Sequence, residues 1–98
     1  MRAVITVVGK DAVGIIADVS AVLKAHSANI VDITQSVLQD LFAMIMLADI
    51  TELNVDFSNL ADELTGLGKT LGLDVRVMHE EIFNSMHRIL KRRVRKPC

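Results

Sequence analysis

Apolar and polar positions along the chain change period several times. Ala3 to Val8 is dense in β-branched residues and stops at Gly9, which predicts a strand ending in a turn. From Ala12 to His26 the period changes: Ile15, Val19, Val22, Leu23 and His26 fall at helical spacing, with Asp18 and Lys24 off the stripe. Asp11 is placed to cap that helix, because a carboxylate accepts from the orphan N–H groups of a first turn. Asn29 to Leu38 alternates, with Val31, Ile33 and Val37 expected on one face and Asp32, Thr34 and Ser36 on the other. Gln39-Asp40 is a two-residue polar break suited to a hairpin, and Leu41 to Ile50 is a third strand, apolar at nearly every position. A second helix is expected after an Asp56 cap, with Phe57, Leu60, Leu64, Leu67 and Leu71 on its apolar stripe and Gly72 at its C-terminal end. Leu73 to Met78 alternates again. The last helix runs from Glu80 to Leu90, with acids in its first turn and Arg88 in its last.

The order strand, helix, strand, strand, helix, strand places the chain in the α+β class. With right-handed crossovers it predicts a ferredoxin-like βαββαβ sandwich, two helices on one face of a four-stranded sheet, with an additional C-terminal helix over residues 80–90. In that topology the first and third strands are central and the second and fourth are edges, and the apolar runs fall on the central pair. Two helices cover one sheet face only. The other face is expected to carry apolar groups, Val4 and Val8 or alternate members of Phe42, Met44 and Met46, covered by the last helix and by a second copy of the chain.

The chain has 98 residues, enough for one domain, taken here as residues 1–90 with a basic tail over 91–98. Its net charge of −1 hides an asymmetry, because all 12 acids precede residue 88 while Arg88, Lys91, Arg92, Arg93, Arg95 and Lys96 follow. The tail reads as a solvated, disordered terminus, so nucleic acid is not the expected partner. The three aromatics are all Phe, too few for a base-stacking platform. The longest uninterrupted apolar stretch, Leu41 to Ala48, is far short of the roughly 20 residues that cross a bilayer, and the N-terminus has no cleavage site, so no membrane association and a cytoplasmic location are expected.

Several chemistries are excluded by what is missing. The loop after the first strand holds neither a Cys pair for a soft metal nor an Arg for an acylphosphatase-type phosphate site, and the single Cys98 cannot form a disulfide within the chain. Gly66-Leu67-Gly68-Lys69-Thr70 has the end of a phosphate-loop pattern, but Glu63 stands where that pattern needs Gly, and the segment closes a helix instead of opening one. His79 and His87 are two helical turns apart, too far for one metal. No activated nucleophile or acid–base pair is visible, so no catalytic residue, metal or cofactor is assigned and the chain is not expected to be an enzyme.

One loop offers a binding geometry. In Gly9-Lys10-Asp11-Ala12-Val13-Gly14-Ile15, Gly9 permits a sharp turn and Gly14 a close approach, and the helix that follows presents free N–H groups suited to a carboxylate. Asp11 can accept from an ammonium group, so an amino acid, carrying both charges, fits. The same features also describe a plain glycine-bounded turn with an N-cap, and spacing leaves the two readings open.

Val7 to Ile15, together with Asn29-Ile30 at the start of the second strand, resembles the signature of the ACT domain, a small regulatory module that commonly binds amino acids. The resemblance covers residues 1 to about 90 and extends to Asp32-Ile33-Thr34-Gln35 and to the Ile82-Phe83 helix. It is strongest toward the free-standing single-ACT proteins of the UPF0237 family, and also reaches the ACT repeats of the glycine cleavage system transcriptional repressor. The resemblance implies a homodimer whose ligand sits by the first loop, often at a subunit interface. It implies Gly9, Lys10, Asp11, Ala12, Val13, Gly14 and Ile15 as the loop wall and Asn29 and Ile30 opposite. The chain has Ala12-Val13 where many members have Arg-Pro, and it is expected to stand alone, without a fused enzyme or DNA-binding domain. The reading that follows is a non-catalytic sensor of an amino acid that signals to a regulated protein. Its competitor is an interaction module with no small-molecule ligand.

Overall fold

The computed structural model describes residues 1–10 and 14–85. Six elements follow in the expected order: β1 (Arg2–Lys10), α1 (Ile15–Ala25), β2 (Asn29–Leu38), β3 (Leu41–Asp49), α2 (Phe57–Leu71) and β4 (Asp74–His79). Residues 80–85 are helical, while the remainder of the expected last helix and the basic tail lie outside the described residues. The strands form one sheet in the order β2-β3-β1-β4, with every neighbouring pair antiparallel. The central and edge assignments therefore hold, and so does the ferredoxin-like topology.

The core lies between the sheet and the two helices. Ala3, Ile5 and Val7 of β1, Met44, Met46 and Ala48 of β3 and Val75 of β4 face Ile15, Val19 and Leu23 of α1 and Leu60 and Leu64 of α2, all buried. Each large side chain here contributes roughly 1.5–3 kcal/mol by leaving water. Phe42, Met44 and Met46 thus belong to the helix side, which corrects their assignment to the second face. The second face is made by Val4, Thr6 and Val8 of β1 with Leu47, Ile45 and Ala43 opposite them on β3. Val4 is buried there, whereas Val8, Ile45, Leu41 and Leu38 are exposed.

Four local departures from the sequence expectations have identifiable causes. Gly9 does not turn. It pairs with Phe42 inside the sheet, and a side chain at this position would run into Leu73 Cδ2, so its missing Cβ gives Leu73 room. α1 begins at Ile15 and not at Ala12, because Gly14 (φ +84°) is left-handed and occupies the cap position assigned to Asp11. Between Ile30 and Asp32 β2 carries a bulge, which removes Val31 from the face shared by Ile33 and Val37. On α2 the buried stripe is Leu60, Leu64 and Gly68, leaving Leu71 exposed.

Candidate functional site

The sequence-predicted site residues fall into two groups at opposite ends of the sheet. Gly9 and Lys10 close β1 beside the β2–β3 hairpin, where Lys10 pairs with Leu41 in the ladder and its Nζ lies 3.6 Å from Asp40 Oδ2. Gly14 opens α1 at the same end, its carbonyl accepting from the Asp18 N–H at 3.1 Å. Ile15 is buried in the core, so it can offer a ligand its backbone but not its side chain. Asp11, Ala12 and Val13 lie outside the described residues. Asn29 pairs with Asp49, which pairs with Arg2 on its other side. From that level to Gly9 is seven residues along β1, about 23 Å of extended strand. Asn29 and Ile30 therefore do not face the first loop of their own chain.

Asn29 stands instead between two surface hollows that sequence reading missed. One, of about 360 Å³, is lined by Ser20, Lys24, Ser27, Ala28, Asn29 and Ile30. The other, of about 190 Å³, is lined by Ser27, Asn29, Asp49, Thr51 and Glu52. The available signal was that Lys24 lies off the apolar stripe of α1. Asp49 accepts from the Thr51 hydroxyl at 2.6 Å and from its backbone N–H at 2.9 Å, and these two bonds hold its carboxyl below the usual carboxylate range. The Met1 ammonium donates to the same hydroxyl at 3.0 Å. Among the described residues no three His, Cys, Asp or Glu side chains come together as metal ligands, and no helix is long and apolar enough to cross a membrane.

Residues 2–78 match the family model of the ACT domain, a span that includes both the loop and Asn29-Ile30. The chain belongs to the ACT domain family. A UPF0237 protein of Methanopyrus kandleri is 52% identical to this ACT domain over 88 residues, 90% of this chain and 98% of the relative. Among solved structures, an ACT domain protein from Streptococcus pneumoniae is 38% identical with a TM-score of 0.73, over 85% of this chain and 93% of that one. A putative glycine cleavage system transcriptional repressor is 26% identical with a TM-score of 0.62, over 79% of this chain and 44% of the repressor. The chain therefore matches its UPF0237 relative over nearly that protein's full length, but less than half of the repressor.

Proposed function

We propose that this ACT domain is a non-catalytic cytoplasmic regulatory module that binds an amino acid at a homodimer interface and passes the resulting change to a partner protein. The observation that carries the reading is the separation of the two site halves by the length of β1 within one chain. An antiparallel pairing of two β2 edges removes that separation. Leu38 pairs with Leu41, and Leu41 with Lys10, so the end of β2 lies at the level of the first loop. Across a two-fold axis between β2 strands, the start of one β2 meets the end of the other, which brings Asn29 of one protomer to the loop end of its partner. The β2 edge is apolar enough for that role, with Val31 and Val37 exposed along it and Leu38 at its end.

In such a site Asp11 accepts from the ligand's ammonium group. The N–H groups near Val13 to Ile15 hold its carboxylate, and Asn29 orients it. Regulation then requires the ligand to prefer one dimer geometry over another. The likeness to a glycine cleavage system transcriptional repressor supports a regulatory role, since repression is itself regulation. The exposed Val8, Leu38, Leu41 and Ile45 favour a second reading, a protein-docking module without a ligand.

A thermal-shift screen of the twenty amino acids separates the two. A ligand at 100-fold its Kd stabilises by about 2.7 kcal/mol, on the order of 10 °C for a domain of this size. One selective amino acid is expected to raise Tm, and Asp11→Ala is expected to abolish the rise while leaving the ligand-free Tm unchanged. No shift across the panel contradicts the sensor reading and leaves the docking module.

A further inference from the structure

The turn between α1 and β2 is held by a small polar lock outside the proposed ligand site. α1 closes with the Ala28 N–H donating to the Leu23 carbonyl at 2.9 Å and the Ser27 N–H to the Lys24 carbonyl at 3.2 Å. This closure requires Ser27 to take a left-handed backbone, φ +62°, without being glycine. Above it the His26 ring reaches two other segments. Its Nδ1 lies 3.1 Å from Asn54 Oδ1 on the β3–α2 connection, and its Nε2 lies 2.6 Å from Glu63 Oε2 on α2. Asn54 is tied back to the same helix end, its Nδ2 donating to the Ala25 carbonyl at 3.2 Å and its backbone N–H to the His26 carbonyl at 3.2 Å.

These contacts assign the protonation state of the ring. The Asn54 amide group is oriented by its Nδ2 bond to Ala25, so the atom facing Nδ1 is the amide oxygen, an acceptor only. The atom facing Nε2 belongs to a carboxylate, also an acceptor. Both ring nitrogens must therefore donate, which only the imidazolium does. A neutral ring would set a lone pair against one of the two oxygens.

We propose that His26 is a pH-dependent latch: as the imidazolium it fastens the α1–β2 turn to the β3–α2 connection and to α2, and on losing its proton it releases that turn. The ionisable groups on the segments meeting at the ring are Asp18 and Lys24 on α1, Glu52 and Asp56 on the connection, and Asp62, Glu63 and Lys69 on α2. Glu63 is the one in contact with the ring, and its charge acts on it. The hydrogen bonds to Glu63 and then Asn54 raise the His26 pKa above its ordinary value, against an opposing effect of desolvation. A raised folded-state pKa gives stabilisation that is fully present below the unfolded pKa near 6.5 and is lost as pH rises through the folded value. The latch is thus closed in mild acid and opens as pH rises through the raised folded value. Ser27 and Asn29 lie within three residues of the ring, so opening loosens the segment that carries Asn29, whether or not a ligand binds there.

The test is a nuclear magnetic resonance titration of the three histidine rings in the full chain, with amide exchange measured in the same samples. His26 is expected to show both ring nitrogens protonated in mild acid and to titrate above its ordinary value. In Glu63→Gln, an exposed and conservative change, its titration should move downward. Protection of the Ala28 and Asn54 amides, corrected for intrinsic exchange, should fall severalfold from about pH 6 to about pH 8 in the native chain and stay level in His26→Gln. A His26 ring that titrates at or below its ordinary value overturns the proposal. So does protection with the same pH dependence in the native chain and His26→Gln, since a purely structural hydrogen bond would give that result.

Discussion

Two glycines in α2, two residues apart, should respond to the same substitution with opposite signs. Gly66 is exposed, and a Cβ built on it meets nothing within 4 Å. Gly66→Ala therefore adds only the helix-propensity difference, a gain of about 0.8–1.0 kcal/mol. Gly68 is buried and continues the Leu60 and Leu64 stripe onto β4. A Cβ there would lie 3.0 Å from the Leu73 carbonyl oxygen and 2.9 Å from Val75 Cβ, and would overlap Val75 Cγ2. Val75 is buried and β-branched, so its χ1 is restricted and it yields little, and the Leu73 oxygen is backbone. Overpacking of this kind costs about 1–3 kcal/mol, which exceeds the propensity gain. The expected net is a loss of up to about 2 kcal/mol for Gly68→Ala. Thermal unfolding by circular dichroism should place the two variants on either side of the native chain, roughly 10 °C or more apart. Equal shifts, or a Gly68→Ala variant more stable than the native chain, would refute the close helix–strand approach on which the core description rests.

Other consequences can be checked in the same way. Ser27→Gly relieves a left-handed serine and should raise stability by about 0.5–1 kcal/mol in chemical denaturation, whereas a loss would mean that the Ser27 side chain carries weight of its own. The depressed pKa of Asp49 gives stabilisation that is present above the ordinary carboxylate range and lost as pH falls through the folded value. The native chain should therefore lose Tm more steeply below about pH 4 than Asp49→Asn does, and parallel acid profiles would remove Asp49 from the account.

The element order was readable because the helices and edge strands carry clear periods, and Gly72 stops α2 where a left-handed residue was expected. Phase was not readable where pattern is uniform. Leu41 to Ala48 is apolar throughout, so nothing in it distinguishes the Phe42, Met44, Met46 face from the Leu41, Ala43, Ile45, Leu47 face. Only pairing with β1 and β2 decides that. The bulge at Val31 and the left-handed Gly14 are backbone events, and both displaced expectations built on side-chain type. The site was legible as two motifs but not as a geometry. The resemblance set Asn29 opposite the loop, and the sheet register puts it at the far end of the same chain. The His26 lock was half visible. Helical spacing placed His26 at the end of the α1 stripe, but its partners Asn54 and Glu63 are 28 and 37 residues away along the chain.

The central claim, that one chain supplies the loop and another supplies Asn29, is tested most directly by mixing Asp11→Ala and Asn29→Ala chains. Binding of the amino acid identified by the thermal-shift screen would be measured by equilibrium dialysis on each variant and on their unfolded and co-refolded 1:1 mixture. A shared site predicts weak binding by either variant alone. In the mixture half of the dimers are mixed, each with one intact site, so about a quarter of the native sites should return. A mixture that binds no better than its components would contradict the shared site.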